Sequence, residues 1–129
     1  MQRMRLGVCV LVIGSLALAA GCKPNLRLAG PVAAQRIGST NDVGVHVVVE
    51  NDSRRDVKDP FRVGFRRFHP AGPWKFVSFS HGLKRRQKRP IKQLVDAAAG
   101  TDLQVRVDFD DNIPESDEND NFKQRQAPP

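Results

Sequence analysis

Residues 43–51 read Val-Gly-Val-His-Val-Val-Val-Glu-Asn, and valines occupy every second position from Val43 to Val49. A period of two in β-branched residues predicts a β-strand with one face buried. The pattern recurs at Phe61-Arg-Val-Gly-Phe65 and from Leu103 to Phe109. These three segments predict a protein built from half-buried strands.

Further strands are predicted around these segments. A strand from Trp74 to Phe79 follows a loop rich in proline and glycine, which favours a connection between two paired strands. No amphipathic helical pattern of useful length occurs after residue 21. Short strands separated by turns predict an all-β fold, an antiparallel β-sandwich whose seam holds the alternate valines, the phenylalanines and Trp74. Weaker strand candidates are residues 26–28, 91–95 and 122–125.

The first 21 residues have the composition of a secretory signal peptide. Arg3 and Arg5 precede an apolar run, residues 6–20, that is too short and wrongly flanked for a membrane-spanning helix. Small residues lead into Cys22, which resembles the lipobox cysteine of bacterial lipoproteins. The resemblance implies cleavage before Cys22 and acylation of its thiol, whereas an ordinary secreted protein cut nearby is the alternative. Residues 22–129 are therefore predicted to be one extracytoplasmic domain, anchored to a membrane through Cys22.

Two expectations depend on this cleavage. Lys23 stands where inner-membrane lipoproteins usually carry aspartate, which favours the outer membrane if the source has one. The other cysteine, Cys9, leaves with the signal peptide, so no disulfide is expected in the mature chain. The stability of the domain must then come from packing.

Three segments occur in a set order along the chain: Pro24-Asn25-Leu26, the run Val43 to Asn51, and Val105-x-Val107-Asp108 followed by Asn112, Glu115, Glu118 and Asn121. In this order they resemble the bacterial cell-adhesion-related domain (CARDB) family. The resemblance implies an immunoglobulin-like β-sandwich of about seven strands, found in extracytoplasmic proteins and associated with adhesion. The sequence departs from the family at Asp120, where an asparagine is common, and at the charged turn 52–55.

The segment from residue 108 to residue 121 is dense in carboxylates. Calcium prefers six to eight oxygen ligands, so a loop of this composition is a candidate calcium site. The alternative, which we favour, is an acidic turn in which aspartate and asparagine side chains cap backbone amides and Pro114 fixes the bend. The candidate calcium ligands are Asp108, Asp110, Glu115, Asp117 and Asp120.

A basic stretch lies between residues 84 and 92 of a chain whose formal net charge is +7. Such density attracts polyanions such as lipid phosphates or acidic glycans. Nucleic acid is not expected as a partner, because no aromatic residues are interleaved for base stacking. The alternative, which we favour, is a charged loop or edge strand that discourages aggregation. Arg62, Arg66 and Arg67 are expected to extend the basic face if their strand lies beside it. The candidate polyanion-binding residues are Lys84, Arg85, Arg86, Lys88, Arg89 and Lys92.

Trp74 has two interpretations, a core residue, which we favour, or an exposed anchor for a glycan or protein. No nucleophile elbow and no glycine-rich phosphate loop occurs, so a protein without catalysis is predicted. No cofactor is expected apart from calcium. The sequence thus predicts a lipid-anchored extracytoplasmic binding or adhesion module that presents an immunoglobulin-like domain to an envelope protein or glycan. The alternative function is a structural envelope lipoprotein that binds calcium or polyanions.

Overall fold

The computed structural model describes residues 23–115 and 121–129, so the predicted signal peptide and Cys22 lie outside the described residues. No helix in these two ranges is long and apolar enough to cross a membrane. The all-β prediction is confirmed, and β1 and β5 are longer than the sequence pattern predicted. The seven strands are β1 (Leu26–Arg36), β2 (Asp42–Asn51), β3 (Phe61–Phe68), β4 (Lys75–Phe79), β5 (Lys88–Asp96), β6 (Asp102–Val107) and β7 (Phe122–Gln126).

The strands form two antiparallel sheets that pack face to face. One sheet has three strands in the order β1-β2-β5, and the other has four in the order β4-β3-β6-β7. Val43 lies opposite Val95, and Val47 lies opposite Ile91, so the valine face of β2 continues onto β5. The architecture is the predicted immunoglobulin-like β-sandwich.

The core lies between the sheets and follows the alternation of β2. Val43, Val45, Val47 and Val49 are at most 4% exposed, which confirms the prediction that this face is buried. The four-stranded sheet contributes Val63, Phe65 and Val105, among other residues. Phe61 and Phe79 lie opposite each other in β3 and β4, and their rings stack with centroids 4.6 Å apart. Burying these large side chains is the main favourable term in the stability of the domain.

The prediction that every phenylalanine and Trp74 fill the seam is wrong. Phe61, Phe65 and Phe79 are buried in it, whereas Trp74 and the four remaining phenylalanines lie outside the seam. The four-stranded sheet therefore carries aromatic residues on both faces. The aromatic residues outside the seam are Phe68, Trp74, Phe76, Phe109 and Phe122.

One side of the sandwich is closed by contacts between β1 and β7. The register of β1 shifts between Ala29 and Ala33, and this bulge leaves backbone carbonyls facing β7. Lys123 Nζ donates to the Gly30 carbonyl at 2.6 Å, and the Arg125 guanidinium donates to the Val32 carbonyl at 3.1 Å. Two basic side chains thus satisfy carbonyls that the bulge removes from the ladder.

The residues after β7 contact the sandwich. Ala127 is buried, and its amide donates to the Thr101 carbonyl at 2.7 Å. The Arg36 guanidinium donates to the Pro128 carbonyl at 2.7 Å. Residues 127 and 128 thus belong to the packed domain.

The start of β1 marks one end of the sandwich, to which both sheets contribute, and we call it the N-terminal end. There Leu26 pairs with Asn51, and Glu50 pairs with Lys88 in the three-stranded sheet. Phe61 pairs with Phe79 at the corresponding end of the four-stranded sheet. The loop after β2 and the loop after β4 meet at this end, and the loop after β6 also begins there.

Candidate functional site

The outer face of the four-stranded sheet carries arginines interleaved with aromatic rings. The register places Gly64 opposite Phe76 and Arg106, and Arg66 opposite Gln104, all on the face that points away from the core. We call this surface the arginine–aromatic face. Its members are Arg62, Arg66, Arg106, Phe68, Trp74, Phe76, Phe109 and Phe122.

Arg62 occupies the half of this face nearest the N-terminal end. Its guanidinium carbon lies 3.7 Å from the centroid of the Phe76 ring. Its Nε and Nη2 atoms donate to the two carboxylate oxygens of Asp110, both at 2.7 Å. The two hydrogen bonds to Asp110 fix the position of the guanidinium beside the Phe76 ring. They also lower the pKa of Asp110 below its ordinary value.

Arg66 occupies the other half of the same face. Its guanidinium carbon lies 4.4 Å from the Trp74 ring and 4.8 Å from the Phe68 ring. Its Nε donates to the Gln104 side-chain carbonyl at 2.8 Å. Contacts of this kind between a cation and a ring favour one orientation of a long side chain.

Gly64 explains how the rings pack so closely on the sheet. A Cβ atom at this position would lie 2.9 Å from a carbon of Phe109 and 3.0 Å from a carbon of Trp74. The two rings meet edge to face with centroids 4.8 Å apart, and Phe76 meets Phe109 in the same way at 5.0 Å. The absence of a side chain at Gly64 therefore lets an aromatic layer lie directly on the backbone of β3.

Several side chains of the arginine–aromatic face are exposed to solvent. Phe122 is 41% exposed, and the Arg62 side chain is 39% exposed. Arg106 is exposed and lies 5.7 Å from the Phe122 ring. Protein interfaces are enriched in aromatic residues and arginine and depleted in lysine and glutamate, and the outward positions on these strands follow that composition.

Sequence reasoning missed this face for two local reasons. Trp74 and Phe76 have the parity opposite to that of Phe79, so they point outward when Phe79 points inward. Asp108 has a φ of 51°, a left-handed conformation that ends β6 at Val107 and redirects the chain. Phe109 therefore leaves the face that strict alternation assigns to it. The uneven spacing from Trp74 to Phe79 was the one signal in the sequence.

The acidic loop after β6 follows the predicted capped turn where it is described. The Asp108 carboxylate accepts hydrogen bonds from the amides of Asn112 at 3.0 Å and Ile113 at 2.9 Å. Burial raises the pKa of Asp108 above its ordinary value. Asp110 binds Arg62 instead, and Glu115 is buried.

The calcium hypothesis therefore gains no geometric support from the described part of this loop. Residues 23–115 and 121–129 contain no group of three or more His, Cys, Asp or Glu side chains that could hold a metal ion. Two candidate ligands, Asp117 and Asp120, lie outside the described residues, so the complete set stays a prediction.

The basic stretch occupies the loop after β4 and the edge strand β5. Lys84, Arg85 and Arg86 are exposed in the loop, and Lys88, Arg89 and Lys92 are exposed on β5. The surface location agrees with both predicted roles, so polyanion binding stays a prediction.

A second loop brings further cations to the basic stretch. Arg54, Arg55 and Lys58 are exposed in the loop after β2, which is joined to the loop after β4 by a bridge between Val57 and Leu83. The expected extension by Arg62, Arg66 and Arg67 is wrong. Arg62 and Arg66 stack on rings of the other sheet's outer face, and Arg67 contacts Asp96.

Asn51 joins the two basic loops at their base. It is fully buried, and its side-chain amide donates to the carbonyls of Arg55 at 2.7 Å and Leu83 at 3.0 Å. Its side-chain oxygen accepts from the Ser53 hydroxyl at 2.6 Å. The asparagine that the family resemblance singled out is therefore a structural clamp.

The fold is an immunoglobulin-like β-sandwich with a layer of arginines and aromatic rings on the outer face of its four-stranded sheet. Two solved structures of one domain share the fold. The crystal structure of the CARDB domain of the PF1109 protein of Pyrococcus furiosus, in complex with di-metal ions, is similar with a TM-score of 0.62. The identity is 16%, over 83% of this chain and 94% of that chain.

The solution NMR structure of the same domain is similar with a TM-score of 0.61 and 15% identity, over 82% of this chain and 94% of that chain. The chain thus has a CARDB-like fold, which confirms the fold that the resemblance implied. No protein-family model matches the sequence, and no curated protein sequence matches it significantly.

Proposed function

We propose that this protein is a lipid-anchored, extracytoplasmic binding module without catalysis, and that its arginine–aromatic face binds an envelope protein. The signal peptide pattern and Cys22 support the anchor and the location. The CARDB-like fold supports an adhesion-related role, because immunoglobulin-like sandwiches of this kind serve as interaction domains.

The observation that carries the proposal is the preorganisation of the arginine–aromatic face. Arg62 is held by Phe76 and Asp110, and Arg66 is held by Trp74 and Gln104. A surface whose side chains are already ordered loses little conformational entropy when a partner covers it. Tryptophan and arginine are also the residues that most often dominate the binding free energy of protein interfaces.

A protein partner fits the chemistry better than a small molecule. The face is an open sheet surface with edge-on rings at its centre, and it lacks the enclosed shape of a small-molecule pocket. Arg66 and Arg106 offer guanidinium groups for carboxylates of the partner. A partner surface with exposed carboxylates around an apolar centre therefore complements this face.

The calcium alternative has less support in this chain. The similar Pyrococcus domain was crystallised in complex with di-metal ions. In this chain the Asp108 carboxylate is occupied by two backbone amides, and Asp110 is occupied by Arg62. Calcium would have to displace these partners before it could use either carboxylate.

Site-specific crosslinking in intact cells tests the proposed face. A photoreactive amino acid at Phe122 is expected to trap one reproducible protein, because Phe122 lies on the face and is exposed. The matched control places the same group at Leu94, which is 42% exposed on β5 of the other sheet. Trp74→Ala should remove the crosslink from Phe122. A glycan adduct, or equal trapping from Leu94, would contradict a protein partner at this face.

Metabolic labelling with radioactive palmitate tests the anchor separately. The wild-type chain is expected to incorporate the label, and Cys22→Ser is expected to lose both the label and the membrane association. Labelling that survives Cys22→Ser would overturn the lipid anchor but would leave the binding face untouched.

A further inference from the structure

The two basic loops lie at the N-terminal end, where the predicted lipid anchor would hold the chain. The peptide carbonyl of Asn25 accepts a hydrogen bond from the Asp52 amide at 2.8 Å, so the sandwich already begins at Asn25. Asn25 is itself buried. Only Lys23 and Pro24 therefore separate Cys22 from the first residue that is hydrogen-bonded to the sandwich.

The tether is too short to lift these loops away from a membrane. The three Cα–Cα steps from Cys22 to Asn25 span at most roughly 11 Å. The Debye length at physiological ionic strength is about 8 Å. Charges at the N-terminal end would therefore lie close enough to lipid headgroups to feel their potential.

The loops after β2 and β4 combine into one cationic surface at this end. The Arg85 amide donates to the Asp56 carboxylate at 2.9 Å, and the Val57–Leu83 bridge holds the loops together. We call the combined patch the two-loop basic surface. Its exposed members are Arg54, Arg55, Lys58, Lys84, Arg85, Arg86 and Lys88.

Carboxylates at the same end offset part of this charge. Asp52 pairs with Arg86 at 3.2 Å and lies 3.8 Å from Arg27, and Glu50 binds Arg27 at 2.9 Å. Asp56 and Asp59 are exposed beside the basic loops. Because lysines and arginines outnumber these acids, the surface keeps a positive excess.

The described part of the acidic loop after β6 lies at the same end. Ile113 and Pro114 border one cleft with Arg55 and Lys58 of the loop after β2, and with Lys23 and Pro24. The Asp110 carboxylate is paired with Arg62 of β3. The cations furthest along the loop after β4, Lys84 to Arg86, do not line this cleft.

We propose that the two-loop basic surface binds the anionic phospholipid headgroups of the membrane that holds the anchor. The inference rests on the proposed acylation of Cys22 for its place in the cell, but the surface itself is a property of the folded domain. An anionic membrane attracts the exposed cations of the two loops, so the domain is held with these loops against the headgroups. This contact adds a second membrane signal to the lipid chains.

Vesicle co-sedimentation tests the proposal with the mature chain, residues 22–129, carrying Cys22→Ser so that acyl chains do not mask the headgroup contact. Circular dichroism first checks that each preparation keeps the β-sheet spectrum. The wild-type surface is expected to bind phosphatidylcholine vesicles containing phosphatidylglycerol and to ignore phosphatidylcholine alone. High salt should release it.

Paired charge removals locate the contact. Lys84→Gln with Arg85→Gln should weaken the partition onto anionic vesicles by roughly tenfold or more, since each cation near the surface contributes about 1 kcal/mol. The control, Lys75→Gln, removes one charge from an exposed position in β4 outside the basic stretch and should change the partition much less than Lys84→Gln alone. Equal losses in these two single variants would show that net charge alone drives binding, which overturns the proposal.

Two further outcomes would also contradict it. Equal binding to neutral and anionic vesicles would exclude headgroup charge as the cause. Tighter binding to a soluble acidic polysaccharide than to anionic vesicles, lost in the Lys84→Gln and Arg85→Gln variant, would assign the surface to a glycan. Neither result depends on palmitate labelling or on crosslinking at Phe122, so a failure here is distinguishable from a failure of the proposed function.

Discussion

Gly64→Ala is the substitution that most sharply probes the arginine–aromatic face. The new Cβ would lie 2.9 Å from Phe109 and 3.0 Å from Trp74, so both rings must move outward. Overpacking of this kind costs about 1–3 kcal/mol. Alanine in place of a strand glycine recovers roughly 0.5–1 kcal/mol of backbone entropy. The net expectation is a loss of about 1–2 kcal/mol in the free energy of unfolding, or about 5–10 °C in Tm for a domain of this size.

Gly44→Ala provides the matched control. Gly44 lies in β2, the central strand of the other sheet, where a Cβ would meet Lys92 Cε at 3.3 Å and Ile37 Cδ1 at 3.6 Å. Both are the far ends of flexible side chains that can move aside. Gly44→Ala is therefore expected to leave Tm unchanged or to raise it slightly.

Thermal unfolding by circular dichroism measures both variants, and fluorescence reports on the ring layer directly. The chain has one tryptophan, so all indole emission comes from Trp74. Gly64→Ala should shift this emission to the red as the ring leaves the sheet, whereas Gly44→Ala should not. A Gly64→Ala protein with wild-type Tm and emission would refute the close packing of Trp74 on β3.

The remaining predictions concern the loops of the N-terminal end. Asn51→Ala should lower the free energy of unfolding by about 2–4 kcal/mol in urea titrations, because it removes three buried hydrogen bonds and orphans their partners; a loss below about 0.5 kcal/mol would contradict the clamp. Carboxyl NMR titration should find the pKa of Asp108 above, and that of Asp110 below, the usual value of about 4. The Arg62–Asp110 pair therefore stabilises the fold fully above about pH 4, and its contribution is lost as pH falls through the lower folded-state pKa; the reverse order of titration would contradict the contacts. Millimolar calcium should leave Tm unchanged, since Asp108 and Asp110 are engaged, whereas a clear rise would favour the calcium alternative.

The fold could be predicted from alternation because β2 obeys it without exception. Every odd residue from Val43 to Val49 points into the core, and its partners on β5 follow the same face. The pattern was weaker on β5 itself, where Lys88 and Arg89 open the strand. Pairing with β2, rather than local propensity, extends the strand through these charges.

The arginine–aromatic face could not be predicted in the same way. The hydrophobicity of an aromatic residue does not determine which face of a sheet its ring occupies. Phe109 continues the apolar run of β6 in the sequence, and the left-handed Asp108 alone moves it to the outer face. The stacking of Arg62 on Phe76 joins residues of neighbouring strands, so it depends on register. Contacts across strands are set by pairing, which a single sequence does not reveal.

Only one of the two loops of the two-loop basic surface could be predicted as basic from the sequence. The stretch 84–92 has the density of charge that predicts a polyanion site. The loop that carries Arg54, Arg55 and Lys58 also contains aspartates, so its composition does not predict a polyanion site. The bridge between Val57 and Leu83 brings the two loops together, and no local pattern predicts it.

Oxidative footprinting of the protein in intact envelopes tests most directly whether the arginine–aromatic face is the surface in use. Side-chain oxidation of Trp74 and Phe122 is compared between native envelopes and the purified protein, with Ile37 and Leu94 as exposed references away from this face. We expect strong protection of Trp74 and Phe122 in envelopes and equal oxidation of Ile37 and Leu94 in both preparations. Equal oxidation of Trp74 and Phe122 in the two preparations would show that nothing covers this face, and the binding role assigned to it would be wrong.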